Sequence, residues 1–368
     1  VFEKSASRIG LNIEQTLLAG VQVKGSRHAQ VLTHASLQTL PEGLVAEGEV
    51  IDVSGLAGQL KSFWKRAGFR QRRVLLGIAN QKIVVRAMEF PVMEEKELRA
   101  AIEFQAQEAI PIPVEEAVLD YQVMSTFTAD DGTPRQQILL VAAQKDMIHQ
   151  FVEVARKANL TVEGIDLQAF ALARALMEEP DLSLEQPAAG AVAMVNIGSG
   201  ITNLVVVQDG VPQFTRVISL GSETMIEALA TDSGVDTEEA WRLAVTVGLH
   251  VADAPLDLPD DVDDERAAQV HSSLENSCET FADEVRRSID YFHTQAHQAE
   301  ISRVVVTGDG SLVRSLPTYF GQALHIDTML GDPLRRIAEN KSKLSEAELG
   351  VLAPRLSIAI GLALEDED

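Results

Sequence analysis

Two stretches of this chain repeat one design, and that repetition limits the available folds more than any other feature. Residues 192–210 read VAMVNIGSGITNLVVVQDG. An apolar run over 192–195 meets Asn196, then a turn through Gly198, Ser199 and Gly200 with Thr202 beyond it, then a second apolar run over 204–207. This predicts strand, glycine turn, strand, with Asp209 and Gly210 as the following turn. Residues 9–25 read IGLNIEQTLLAGVQVKG. Placing Asn12 on Asn196 and Ile13 on Ile197 again gives strand, threonine-bearing turn, strand. A glycine turn lets backbone N–H groups converge on one point, the arrangement that cradles a phosphate. On its own it is equally the turn of a buried hairpin. Two halves that open with the same hairpin predict a duplicated fold.

A chain of 368 residues suits two or three domains with sizeable cores. Its net charge of −24 argues against nucleic acid and against adsorption to an anionic membrane surface, since both carry the same sign. A solvated acidic surface accounts for most of that charge. The single cysteine, Cys278, excludes an internal disulfide and suits a reducing, cytoplasmic compartment. No run approaches the roughly 20 apolar residues needed to span a bilayer. The opening VFEKSASR has no apolar segment of a signal peptide, and the closing LALEDED offers no basic anchor. No direct membrane insertion is expected, and a role at a membrane is expected to depend on a partner.

Along the chain, Leu56, Leu60, Phe63 and Trp64 recur at helical spacing over 53–67, with Gly68 as a stop. Residues 94–109 form an amphipathic helix on Leu98, Ala101, Ile102, Ala106 and Ala109, with Glu94, Glu95 and Glu97 at its positive end. Ile110-Pro111-Ile112-Pro113 then ends it in an extended segment. Two strands, 117–126 and 136–144, follow around a turn at Asp131 and Gly132. Residues 178–190 are polar and proline-bearing and mark the boundary between halves. The acidic stretch 253–265 is the most disorder-prone segment and lacks the spacing of a Ca²⁺ loop. A long helix over 267–296 carries Phe281, Val285, Ile289 and Phe292, and 303–307 is a buried strand running into Gly308-Asp309-Gly310. Residues 356–364 are a last small-residue helix or strand.

Three turns that leave strands, 12–16, 196–202 and 307–311, lie far apart in sequence, as in two-lobed nucleotide-binding proteins. Here the chain resembles the actin-like ATPase superfamily. IEFQAQEAIPIPVEEAVLDYQV (102–123), ANLTVEGIDLQAFALARAL (158–176), EVRRSIDYF (284–292) and SIAIGLALED (357–366) narrow the resemblance. In order and spacing they are similar to the PilM family of cytoplasmic type IV pilus assembly proteins, relatives of the cell-division protein FtsA. The resemblance covers nearly the whole chain. It implies an α/β, actin-like ATPase fold of duplicated ribonuclease H-like halves. Residues 1–190 are then the first lobe, with a subdomain inserted at about 72–161, and 191–368 the second, with a helical insertion at about 221–300.

The same resemblance implies a cleft for ATP or ADP with Mg²⁺. Asn12 and Thr16 fall in its first phosphate turn, and Asn196, Gly198, Ser199, Gly200 and Thr202 in its second. Gly308, Asp309 and Gly310 fall in its adenosine turn, and Glu284, Arg287 and Ser288, with Tyr291, on the helix side that flanks base and ribose. The chain departs from the pattern at three places. Asn12 and Asn196 stand where relatives carry aspartate, and Glu14 stands where they carry glycine. An amide neither holds Mg²⁺ waters nor acts as a base. A carboxylate ~4 Å from a phosphate costs about 1 kcal/mol in water and about 4 kcal/mol at an effective dielectric near 20, unless it turns to solvent. Weak or absent ATPase activity is therefore expected, and no catalytic residue is assigned.

The resemblance further implies a partner: the N-terminal cytoplasmic peptide of a PilN-type inner-membrane protein, gripped by the first lobe, alongside other pilus platform proteins and a homodimer contact. An extended peptide beside a sheet edge suits the region around Met88, Pro91, Ile110 and Pro111. No metal site is expected, because His293 and His297, four apart, have no third ligand in view. Two alternatives stay open: a nucleotide-driven actin-like ATPase that forms filaments, and the cytoplasmic domain of a GspL-like type II secretion scaffold.

Overall fold

The computed structural model describes residues 7–26, 29–129, 131–177, 190–251, 258–295 and 300–364. Strand β1 (Ser7–Ile13) and strand β2 (Leu17–Lys24) form the first expected hairpin, with Asn12 opposite Ala19. Strand β3 (Val31–Thr39) continues the antiparallel ladder. A two-residue ladder, β4 (Val45–Ala46) and β5 (Glu49–Val50), leads to helix α1 (Val53–Ala67). Asp52 caps α1 by accepting from the Ser54 and Gly55 N–H groups, and Gly68 ends it at φ 75°. Strand β6 (Arg73–Ile78) then lies parallel to β1.

The inserted segment is β7 (Val84–Pro91), α2 (Glu95–Ala109), β8 (Ala117–Thr128) and β9 (Pro134–Gln144). Its three strands form a separate antiparallel sheet in the order β7-β9-β8. Leu98, Ile102 and Ala106 of α2 bury against Phe90, Ile138 and Leu140. The chain returns through α3 (Lys145–Lys157), which Asn159 closes at φ 59°, then β10 (Thr161–Leu167) and α4 (Gln168–Leu176).

The second half opens with β11 (Ala191–Ile197) and β12 (Thr202–Gln208), the repeated hairpin, with Asn196 opposite Asn203. There follow β13 (Val211–Ile218), α5 (Ser222–Ser233), α6 (Thr237–Thr246), α7 (Asp264–Gln295) and β14 (Ile301–Thr307). Helix α8 (Leu316–Leu324), β15 (Thr328–Leu330), β16 (Glu339–Asn340) and α9 (Glu346–Ala363) complete it. The sheets run β10-β6-β1-β2-β3-β16 and β13-β12-β11-β14-β15. Leaving aside the edge strand β16, both follow one order: third, second, first, fourth, fifth. Asn12 pairs across to Gly77 and Asn196 to Thr307, so the two asparagines hold matching places.

Each sheet is covered on both faces. Helices α1 and α3 cover one face of the first sheet, and α5, α6, α7 and α8 one face of the second. The inner faces are covered by exchange. Helix α4 follows the first sheet in sequence, yet its Ala169, Leu172 and Ala173 pack on Met194, Val205 and Val305 of the second. Helix α9 follows the second sheet, yet its Leu356, Ala359 and Ile360 pack on Ala19, Val21 and Leu32 of the first. The boundary segment 178–189 and the acidic residues 253–257 lie outside the described residues, but the cores on either side do not divide at 190.

Backbone-to-backbone approach makes the exchange feasible. A Cβ on Gly10 of β1 would lie 2.1 Å from the Ala359 carbonyl oxygen. Only glycine lets α9 descend onto the strand. No described helix is long and apolar enough to cross a membrane.

Candidate functional site

The two repeated turns face each other, and a chain of polar side chains joins them. Asn12, at the end of β1, is 2% exposed. Its amide oxygen accepts from Gln168 Nε2 at 2.8 Å, and Gln168 Oε1 in turn accepts from Asn203 Nδ2 at 2.8 Å. Gln168 is the first residue of α4, so the interlobe helix bridges one hairpin to the other. All three amides are buried, where an unmade hydrogen bond costs about 1–3 kcal/mol. Gln168 and Asn203 were not picked out by sequence; a polar residue opening a mostly apolar helix is the one local sign.

Glu14 does not turn to solvent. It is 8% exposed, and its Oε1 accepts from Asn12 Nδ2 at 2.9 Å. Its Oε2 crosses to the other lobe and accepts from the Ser199 backbone N–H at 2.9 Å. A Cβ on Gly198 would meet that oxygen at 2.7 Å, so the glycine leaves room for the carboxylate. Desolvation pushes the Glu14 carboxyl up to about 7. The Asp309 charge adds to the rise, while the Ser199 and Asn12 hydrogen bonds and the Arg355 guanidinium oppose it. Alongside, the Thr16 N–H donates to Ser199 Oγ at 3.1 Å, and Gln15 Nε2 donates to Glu223 Oε2 at 2.6 Å.

The rest of the second turn is structural. Gly198 and Ser199 carbonyls accept from the Ser222 and Glu223 N–H groups at the start of α5, and Thr202 Oγ1 donates to the Leu220 carbonyl. The third turn is tied to α9. The Gly308 N–H and the Thr307 hydroxyl both donate to the Pro354 carbonyl at 3.0 Å. Asp309 is ion-paired with Arg355 and accepts from Ser222 Oγ at 3.3 Å. Asn196 lies against Gly308, and its Nδ2 is buried without a hydrogen-bond acceptor among the described residues. Gly310 packs on Ile197 and Met225.

A polyphosphate between these turns needs the Ser199 N–H and the space over Gly198 and Gly200. Glu14 takes the donor, and Gln15 Oε1 sits 2.4 Å from where a Gly200 Cβ would stand. A pocket that Glu14, Gln15 and Gly200 help to line holds about 10 Å³, room for one water. The residues present do not fit a triphosphate.

The remaining candidates are dispersed. Glu284 and Ser288 bind Arg216 of β13 at 3.0 and 3.1 Å, Arg287 pairs with Glu284, and Tyr291 lies tilted against Phe214, also on β13. Strand β13 lies three places across the sheet from β14, whose end carries Gly308. The Glu284 ion pair and the Ser288 hydrogen bond to Arg216 tie this face of α7 to β13 at the sheet edge. Ile110 also needs correction: it is 6% exposed and part of the core under α2. Met88 packs partly on the same core, while Pro91 and Pro111 are exposed. Met88 and Ile110 thus share one core, with Pro91 and Pro111 at its surface. A cleft of about 370 Å³ opens instead at the root of the insertion, lined by Asn80, Ile83, Val85, Asn203, Thr215 and Arg216 among others. Among the described residues no three metal-ligating side chains group together, and His297 lies outside them.

Three likenesses bear on this arrangement. The chain is 23% identical over 231 residues to cell division protein FtsA of Bacillus subtilis (strain 168), a match that spans 56% of this chain and 50% of that protein. It superposes on a solved PilM-PilN type IV pilus biogenesis complex with a TM-score of 0.79 at 24% identity, covering 98% of each chain. It superposes on MreB5 of Spiroplasma citri bound to ADP with a TM-score of 0.52 at 11% identity, covering 96% of this chain and 94% of that one. These share the actin-like fold. The model for the type IV pilus assembly protein PilM matches residues 10–367, so the chain belongs to the PilM family.

Proposed function

We propose that this protein is a scaffold of the type IV pilus assembly platform that binds the cytoplasmic N-terminal peptide of a PilN-type inner-membrane protein. Family membership over residues 10–367 and the likeness to a PilM-PilN complex support the partner class. The observation that carries the site is the cleft at the root of the insertion. It combines apolar Ile83 and Val85 with the amides of Asn80 and Asn203 and the guanidinium of Arg216. Such a mixture suits an extended peptide, whose side chains alternate while its backbone seeks donors and acceptors. That partner would hold the protein at the inner face of the inner membrane.

The same reading gives the interlobe cleft no hydrolytic role. The likeness to ADP-bound MreB5 supports a nucleotide-type cleft in outline. Asn12 and Asn196 lack the negative charge that would hold Mg²⁺ waters, and the phosphate donor is engaged internally. Calorimetric titration with a synthetic PilN-type N-terminal peptide tests the proposal. Binding is expected to the unmodified protein and to be lost in Val85→Glu, which puts a charge into the cleft, with no ATP turnover in either. Undiminished peptide binding to Val85→Glu would move the groove elsewhere, and turnover would contradict the non-hydrolytic reading.

A further inference from the structure

We infer that Glu14 is an intramolecular anion that latches the two lobes together, seated on the backbone donor which the second-lobe turn would otherwise offer to an external phosphate. The inference deepens the non-hydrolytic reading of the cleft and does not depend on where the peptide binds.

Four features of the site build the latch. The carboxylate spans the lobes: Glu14 belongs to the first repeated turn, Ser199 to the second, and the Oε2···N distance is 2.9 Å. Its second oxygen is fixed by Asn12 Nδ2, and Asn12 is itself held by Gln168, which reaches Asn203 in the other lobe. The side chain is therefore oriented by a bonded chain and does not sample solvent. Gly198 provides the space, since a Cβ there would stand 2.7 Å from Oε2. Flanking contacts close the seam, with the Thr16 N–H on Ser199 Oγ and Gln15 on Glu223.

A carboxylate has the charge sign and acceptor geometry of a phosphate edge, so a turn built to receive one receives the other. The charged groups acting on Glu14 come from two elements. Asp309 lies on the turn after β14 and Arg355 on α9 beside it, while Glu223 at the start of α5 engages Gln15. Asp309 is matched by Arg355, which leaves Glu14 as the anion at the Ser199 donor. The lobes are thus closed without nucleotide, and any external anion must first displace a tethered one.

The test uses full-length protein, ATP with Mg²⁺, and inorganic pyrophosphate as the smaller probe. Each is titrated by calorimetry into wild type, Glu14→Ala and the isosteric Glu14→Gln, with peptide binding measured on the same samples. The latch predicts that both probes bind Glu14→Ala at least about tenfold more tightly than wild type, the effect of removing one close like charge and its bulk. Glu14→Gln, which keeps the bulk and loses the charge, falls between them. Equal affinity across the three proteins overturns the latch. So does absence of binding to Glu14→Ala while it still binds peptide. Should Glu14→Ala fail to fold, Glu14→Gln against wild type decides by the same criterion. Failure of peptide binding in wild type would instead overturn the scaffold reading and leave the latch standing.

Discussion

The two repeated hairpins occupy the same place in two sheets of the same order, and they do opposite things. The second turn spends its residues on Gly198, Ser199 and Gly200 and so presents bare backbone with a donor at Ser199. The first turn spends its residues on Glu14, Gln15 and Thr16 and so presents side chains, two of which enter the second turn or its flank. Four residues upstream of Glu14 and Gly198 the contrast recurs. Gly10 admits the backbone of α9, whereas Met194 at the matching place fills the gap beneath α4. A duplicated scaffold thus holds one cradle and one occupant. The difference lies in side chains, not topology, and it makes lobe closure an internal property of the chain.

The largest expected effect comes from erasing the upstream contrast. Gly10→Met puts the second hairpin's residue into the first, where its Cβ would sit 2.1 Å from the Ala359 carbonyl. Overpacking against backbone should cost at least about 3 kcal/mol, read as a lowered denaturation midpoint or loss of soluble protein. An unchanged midpoint would mean that α9 does not rest on β1.

The second effect is a pH dependence carried by Glu14. Burial lifts its folded pKa to about 7, above the ordinary carboxyl value of 4.5, so the folded state holds this proton more tightly than the unfolded one. The associated stability is fully present below pH 4.5 and is lost as pH rises through 7. Wild type should therefore lose about 3 kcal/mol relative to Glu14→Gln across that interval, by denaturant titration at several pH values. Parallel curves for the two proteins would place Glu14 in water.

Smaller changes sharpen the bridge between hairpins. Gln168→Leu leaves Asn12 Oδ1 and Asn203 Nδ2 without their partner and should cost about 2 kcal/mol. Gln15→Ala removes a half-exposed contact to Glu223 and should cost about 1 kcal/mol. Equal penalties for the two would show that the buried bridge carries no more than the flank.

Much of the fold was legible because it is local. The hairpin echo, the α2 stripe from Leu98 to Ala106 and the αL residue at Asn159 all follow from neighbouring residues. What sequence left open is non-local. Residues 353–363 of α9 are buried almost all round, so they carry no stripe that separates helix from strand, and nothing in them says which sheet they cover. Helix α8 was missed beneath its Leu316–Pro317 start. At the site, the turns and Glu14 were readable as a departure. The partner of Glu14, the Gln168 bridge and the tie of Glu284 to Arg216 each needed the fold to bring distant residues together.

The central claim, that the first turn fills the second, is tested most directly at the Ser199 amide. Hydrogen exchange over the segment containing Ser199 should be slow in wild type and faster by about an order of magnitude or more in Glu14→Ala, as expected when a buried donor loses its acceptor and the lobes part. An exchange rate at Ser199 that is the same in both proteins would contradict the account.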